Sequence, residues 1–523
     1  MAPSVTEYYT GKRVLITGGT GYVGKALVEK LLRSCPDVDT IYLLLRSKKG
    51  LSSEERLKDL CNNKLFDVVR SQNPGVFRKL KLIAGDILDD GLGISNDDRA
   101  ELQKNCNVIF HSAACVRFDQ KLKDAVNLNT VGTLRVLQLA ETMNNLEAVL
   151  HLSTAYCRCE LDELEERMYP AVHNPRKIMD ICKWMDNSLL EYLEPKLIES
   201  EPNTYSYTKA ITETLVEEFA CKFPLAIARP SIIIAAWKDP FPGWVDNLNG
   251  PTGLLIGSGK GVIRTMLCTP HYTADAVPID VVVNGCILIA YATALDRPRT
   301  ISVYNITLSQ VISISWEKII ELGRKWVLVY PHTMALWYPG GNIKTYAWTN
   351  RLAVFFSHQI PAYLVDSILF LMGKKTFLVN VQKRVSHGLS VLQYYTTKEW
   401  CFKNDNFLNL QKRISVKDND TFFTDLKPVD TDEYMKNYVL GARQFCCKED
   451  PSTLPRARKL NKIRYVVDVV FKVMFYVLLL WLLYSNRQVF TSSIEFLDST
   501  LKSLAPIKNV RADSDDEVYE MQM

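Results

Sequence analysis

Residues 13–24 read Arg13-Val14-Leu15-Ile16-Thr17-Gly18-Gly19-Thr20-Gly21-Tyr22-Val23-Gly24, and this stretch decides the fold. Val14, Leu15 and Ile16 form the apolar run of a buried strand. Glycines follow at 18, 21 and 24, after which Ala26, Leu27, Leu31 and Leu32 recur at helical spacing. Strand, glycine turn and helix together make a dinucleotide-site signature. Glycine permits a tight turn and close approach to a pyrophosphate, and the helix N-terminus offers free N–H groups and a favourable dipole.

The spacing is GxxGxxG led by Thr-Gly, not the plain GxGxxG. It resembles the short-chain dehydrogenase/reductase superfamily, particularly its extended branch. That resemblance implies a nicotinamide cofactor held along Thr17, Gly18, Thr20, Gly21, Tyr22, Val23 and Gly24.

Bulk composition narrows the class. With 523 residues, 47% hydrophobic and 23% charged, the chain is long enough for two or more globular domains. A formal net charge of +5 is too small to argue for nucleic acid. Thirteen cysteines include no CxxC, and seven histidines include no HExxH, so no metal and reduced thiols are expected. Residues 1–12 lack the apolar core of a signal peptide, so the catalytic part is expected to stay on the cytosolic side.

Further strands follow. Ile41-Tyr42-Leu43-Leu44-Leu45 ends on Arg46, where an arginine suits a 2′-phosphate and an acidic residue would suit a free hydroxyl. Arg46, with Lys48 and Lys49 behind it, therefore favours NADPH. Lys81-Leu82-Ile83-Ala84-Gly85-Asp86 is a third strand, and the superfamily resemblance assigns Asp86 and Ile87 to the adenine edge. Val108-Ile109-Phe110-His111 runs into Ser112, Ala113 and Ala114, small residues suited to close approach by the nicotinamide-side ribose and phosphate. His111 is expected to pack rather than to catalyse. Asn129 matches a superfamily position that supports the active site through the backbone. Strands alternating with helices through about residue 235 predict a Rossmann-type, doubly wound parallel sheet in an α/β fold.

The chemistry is expected where Ala148-Val149-Leu150-His151-Leu152 delivers the hydroxyls of Ser153 and Thr154 at a strand's carboxyl end. Tyr205-Ser-Tyr-Thr-Lys209 is a YxxxK pair, and residues four apart share a helix face. A tyrosine with a free pKa near ~10 is a poor acid–base group. A neighbouring ammonium and an oxidised nicotinamide favour its phenolate. Lys209 also reaches the nicotinamide ribose, while Ser153 or Thr154 joins Tyr205 on the substrate carbonyl oxygen. Tyr207 lies on another face. Pro230 and Ser231 end the next strand, where the superfamily closes its cofactor site.

Beyond this point Pro240-Phe241-Pro242-Gly243-Trp244 sharpens the resemblance. With Lys64-Leu65-Phe66, Phe110-His111-Ser112-Ala113-Ala114-Cys115-Val116-Arg117-Phe118 and Ser153-Thr154-Ala155-Tyr156, the chain resembles animal alcohol-forming fatty acyl-CoA reductases, in style the insect members. Gly19 stands where relatives often carry alanine. The resemblance spans nearly the whole chain and implies a mainly helical, sterile-type C-terminal domain. It further implies a fatty acyl-CoA substrate reduced twice by NADPH, through a bound aldehyde, to a fatty alcohol for wax, ether-lipid or pheromone-type synthesis. Lys260 and Arg264 are candidates for the coenzyme A phosphates, or else belong to a solvated loop.

The expected organisation is a tail (1–12), the reductase domain (13–285), a substrate-side connection (286–354), the helical domain (355–455), a transmembrane anchor (465–484) and a final tail (485–523). Residues 352–372 read as a core helix pair or a surface-bound segment rather than a span. Residues 473–484 are uninterruptedly apolar but shorter than the roughly 20 residues of a span. Extension back to Val466 supplies the length and includes Asp468 and Lys472. Arg456, Arg458, Lys459, Lys462 and Arg464 upstream place that side in the cytosol, with the endoplasmic reticulum or peroxisome as the membrane. Ser514-Asp515-Asp516-Glu517 is expected to be disordered, and the Met-Gln-Met end is no peroxisomal address. Rival readings are an aldehyde-releasing reductase, a steroid or sugar-nucleotide enzyme, and a silent cofactor-binding scaffold.

Overall fold

The computed structural model describes residues 3–486 apart from 49, 200 and 309, together with 499–500. Lys49 and the acidic stretch from Ser514 lie outside the described residues. Seven strands form the central sheet: β1 (Arg13–Thr17), β2 (Thr40–Leu45), β3 (Leu80–Ala84), β4 (Val108–His111), β5 (Ala148–Leu152), β6 (Leu225–Pro230) and β7 (Ser302–Ile306). Their spatial order is β3-β2-β1-β4-β5-β6-β7, and every pairing is parallel. Helices cover both faces, which is why the strands are almost uniformly apolar and buried. The strand order reverses between β1 and β4, so a crevice opens beyond their carboxyl ends. This is the expected doubly wound Rossmann architecture.

The helices that matter to the site are α1 (Tyr22–Ser34), α2 (Ser53–Cys61), α3 (Gly132–Ala140), α4 (Thr204–Glu217), α5 (Pro251–Gly259) and α6 (Ile279–Asp296). After them come α7 (Ala347–Val354), α8 (Ile360–Leu371), α9 (Leu378–Thr396), α10 (Thr431–Gly441) and α11 (Leu454–Ser485). Leu27, Val28 and Leu31 of α1 pack with α6 on one sheet face. Leu134 and Leu137 of α3 pack with Leu215 and Val216 of α4 on the other.

Two features depart from the sequence boundaries. Residue 285 falls inside α6, and β7 beyond it completes the sheet by pairing with β6. The chain through Lys459 is one compact unit and Leu460 begins another, so α8, α9 and α10 share a unit with the sheet. Side-chain burial over those helices is what a local periodicity cannot supply.

Among the described residues, three helical stretches are long and apolar enough to cross a membrane. One, α6, is buried against the sheet and is a core helix. Another runs through α7, a π-helical turn (Phe355–Gln359) and α8, and is largely exposed, which removes the core-pair reading. The third, α11, has 32 residues, or about 48 Å at 1.5 Å per residue, and is almost wholly exposed.

Candidate active site

The glycine turn is built by close approach. Gly18 sits at φ +73°, and a Cβ there would lie 2.8 Å from the Ala113 nitrogen. A Cβ on Gly24 would lie 2.2 Å from the Gly18 carbonyl oxygen, so the first turn of α1 folds directly onto the loop. The Gly21 N–H donates to that carbonyl at 2.8 Å, and Gly21 caps α1 without a side chain. First-turn N–H groups have no partners within a helix. Those of α1 therefore face the crevice with a clear path for a pyrophosphate. Gly19 differs: its absent Cβ meets only the tip of Leu43.

Neighbouring groups hold the turn in place. The Thr17 hydroxyl bonds His111 Nδ1 at 2.7 Å, and His111 Nε2 bonds Thr133 at 2.9 Å. Burial holds His111 neutral, its pKa down at about 3, so it serves packing as expected. Ala113 N–H donates to Thr17 Oγ1, and the Ser112 hydroxyl to the Thr17 carbonyl. Tyr22 stacks on Trp244 at 5.2 Å, which shows what the Phe-Pro-Gly-Trp segment does. Gly243, at φ +80°, leaves no room for a Cβ against the backbone of Asn437 in α10. Lys25 is paired with Asp246. The segment thus straps the start of α1 to α10.

At the far end of the crevice Arg46 Nη1 binds Asp86 Oδ2 at 2.8 Å. Ile87 is buried under α3, where Gly132 leaves space for it. Sequence reasoning missed Arg56. From α2 it donates to the Arg46 carbonyl at 2.6 Å and to the Thr20 hydroxyl at 2.5 Å. It therefore links the glycine turn to the end of β2. The signal was available: a capping box at Ser52 and Glu55 starts a helix immediately after the basic loop. The cradle of glycines, the free helix N-terminus and two adjacent arginines fit a nicotinamide dinucleotide.

Asn203 caps α4 by accepting from the Ser206 N–H, so the helix begins where Pro202-Asn203 predicts. It carries Tyr205 and Lys209 toward the end of β5. The buried Lys209 ammonium donates to the Leu152 carbonyl at 2.6 Å. Desolvation pushes its pKa down to about 8, against the attraction of Glu213 one turn on. The Tyr205 phenol is pushed up by burial, and the Thr154 hydroxyl is the opposing influence. The Ser153 and Ser231 hydroxyls are buried and, among the described residues, have no hydrogen-bond partner.

Asn129 lies in a π-helical turn (Asn127–Val131) before α3. Its side chain accepts from Cys115 N–H at 2.7 Å, donates to the Cys115 carbonyl at 3.2 Å, and donates to Thr208 at 2.9 Å. It ties the loop after β4 to α4 beside Lys209. Tyr207 turns away and bonds His173 at 3.1 Å.

The glycine turn and the Ser153, Thr154, Tyr205 and Lys209 cluster meet in one cavity of about 700 Å³, which Arg46, Asp86, Ile87 and Asn129 do not line. Gly18, Gly21, Tyr22, Ser112, Ala114 and Pro230 line its cofactor side, and Ser153, Thr154, Tyr205, Lys209 and Ser231 line its centre. Phe118 sits 5.7 Å from the Tyr205 ring. The opposite wall is apolar and comes from α5 and α9, including Leu254, Val385, Leu389 and Leu392. Tyr395 closes it while bonding Asn203 at 2.9 Å, so this residue is both core and wall. Tyr394 and Trp400 instead bond the Cys159 carbonyl. Lys260 and Arg264 do not line this cavity.

A parallel doubly wound sheet, a glycine turn against a helix N-terminus and a Ser-Thr/Tyr/Lys cluster define a nicotinamide-dependent reductase of the extended short-chain dehydrogenase/reductase class. Family models described as "Male sterility protein" match residues 16–286, in the NAD-binding part, and 357–449. Fatty acyl-CoA reductase 1 of Rattus norvegicus is 39% identical over 94% of this chain and 95% of that protein. A putative fatty acyl-CoA reductase of Drosophila melanogaster is 39% identical over 90% of this chain and 93% of its own. The chain belongs to the fatty acyl-CoA reductase family. Its fold also resembles the reductase domain of a nonribosomal peptide synthetase from Mycobacterium tuberculosis. There the TM-score is 0.58 at 18% identity, covering 84% of this chain and 92% of that one.

Proposed function

We propose that this protein reduces a long-chain fatty acyl-CoA to the fatty alcohol and free coenzyme A, using two molecules of NADPH. The observation that carries the reading is a single cavity with the Tyr205–Lys209 cluster at its centre, a dinucleotide cradle on one side and an apolar wall on the other. A reduced nicotinamide, when bound, supplies hydride to the carbonyl carbon in each half of the reaction. Arg46 and Arg56 are the groups that favour a 2′-phosphate on that cofactor.

The chain's own groups act on the carbonyl oxygen. The free hydroxyl of Ser153, with Tyr205, holds that oxygen as negative charge builds on it. Departure of the coenzyme A thiolate leaves an aldehyde, which the apolar wall retains beside the same hydroxyls. Tyr205 then donates its proton to the alkoxide of the second half, and Lys209 stabilises the phenolate left behind. Thr154 positions the Tyr205 hydroxyl.

The long exposed helix α11 supports a C-terminal membrane anchor, with the basic residues Arg456 to Arg464 marking the cytosolic side. The deciding experiment supplies membranes bearing the full chain with NADPH or NADH and a panel of acyl-CoAs, alongside Tyr205→Phe. Alcohol made with NADPH and lost in Tyr205→Phe is the expected result. Aldehyde as the sole product would replace the two-step reading, and absence of acyl-dependent cofactor oxidation would remove the thioester substrate.

A further inference from the structure

The stretch from Ala347 to Thr396 inverts the usual pattern of a soluble protein, whose surface helices turn their apolar side inward. Here polar side chains point into the protein. The Asn350 amide oxygen accepts from the Thr265 hydroxyl at 3.0 Å. His358 Nε2 accepts from the Arg264 N–H at 2.8 Å and is buried. Asp366 is buried too and accepts the N–H groups of Phe377, Leu378 and Val379 at 2.9–3.1 Å. It thereby caps α9 and closes the hairpin of α8 and α9 around Gly373, which sits at φ +67°. The outward residues are apolar: Trp348 is 65% exposed, Phe370 74% and Leu371 83%.

The exposed charges that this stretch itself carries have one sign. Arg351, Lys374, Lys375, Lys383 and Arg384 are exposed, and among the described residues none of them is ion-paired. Asp366 is the one carboxylate between residues 344 and 398, and it is spent on the α9 cap. A second copy of the chain docking face to face would bring like charges together. Anionic lipid headgroups would neutralise them, while the aromatic and leucine side chains enter the acyl boundary.

We propose that the helices α7 and α8, with the turn into α9, form a second membrane-docking surface that lies in the plane of the cytosolic leaflet and does not cross it. Crossing would strip Asn350, His358 and Asp366 of the partners that hold them and leave polar groups in hydrocarbon. The surface is distinct from α11, since it belongs to the unit that carries the sheet. Its second arm, α9, carries both the basic rim and the apolar wall of the catalytic cavity. A substrate dissolved in the leaflet therefore meets the reductase where its tail-binding wall begins.

The test uses the full chain in microsomal vesicles with the reductase unit outside, so it shares only the cytosolic orientation with the reading above and is independent of activity. A photoreactive benzoylphenylalanine is placed at Phe370, at Leu371 and, as a control, at Tyr192, which is 81% exposed. The expected result is lipid adducts at 370 and 371, at least several-fold above position 192, that fall several-fold in Lys374→Glu/Lys375→Glu. Adducts to a second copy, or no lipid adduct above the control, would overturn the proposal. An impermeant amine reagent should modify Lys374 and Lys375 equally in intact and opened vesicles. Modification only after opening would make the segment a span.

Discussion

Arg229 forks onto Glu213, its Nε and Nη2 donating to the two carboxylate oxygens at 2.9 and 2.5 Å, with both side chains sealed from solvent. Arg229 ends β6 and also donates to the carbonyls of Glu165 and Arg167. The pair therefore locks α4 to the sheet one helical turn beyond Lys209. A single-partner removal leaves a buried charge uncompensated, which costs about 3–5 kcal/mol. Glu213→Gln and Arg229→Met should each lower stability by that order in denaturant unfolding. The double substitution should lose less than the sum of the two.

Gly24→Ala and Gly19→Ala should separate sharply. At Gly24 the added carbon meets backbone, so the turn must open and nicotinamide cofactor affinity should fall roughly five- to 150-fold, as an overpacking cost of about 1–3 kcal/mol implies. At Gly19 it meets the mobile end of Leu43, and affinity should stay within about twofold. Fluorescence titration of the cofactor measures both.

Lys209 should make the proposed reaction pH-dependent. Its charged form is present below about pH 8 and is lost as pH rises through that value. Since kcat/KM reports the free enzyme, it should fall on the alkaline side of about 8. A kcat/KM profile flat to pH 9.5 would show that the Lys209 charge has no part in the chemistry.

Arg56→Ala should weaken NADPH by about tenfold or more, since a hydrogen bond to a charged group contributes about 1.5–3 kcal/mol. NADH should be nearly unaffected. Equal losses for the two cofactors would move Arg56 from the 2′-phosphate to a role in shaping the glycine turn.

Glu201 gives a stability signature. Burial, with Glu160 as a second carboxylate beside it, raises its pKa from 4.5 to about 9. The folded chain then holds a proton that the unfolded chain releases, so stability falls as pH rises from about 5 to about 9. Glu201→Gln, which mimics the protonated group, should melt higher than the parent by a margin that grows across that window.

Much of this molecule follows from local pattern. Apolar runs separated by helical periodicity specify parallel strands buried on both faces, and the glycines at 18 and 24 specify a turn with no room for a side chain at either position. The positions of Tyr205 and Lys209 follow from the helix period alone. These features are local because strand periodicity, turn geometry and helix pitch depend on near neighbours, whereas the pairing of β1 with β4, some 94 residues on, does not.

Tertiary structure decided the rest. Arg56 reaches Thr20 across the crevice, Trp244 stacks on Tyr22, and α9 supplies the wall facing Ser153, contacts between residues far apart in sequence. Whether Leu352 to Met372 would be buried or exposed was equally undecided by its composition. An apolar helix is a core helix if other elements cover it, as they cover α6, and a lipid-facing one if they do not. Coverage is a property of the assembled chain, so it is settled only when the chain has folded.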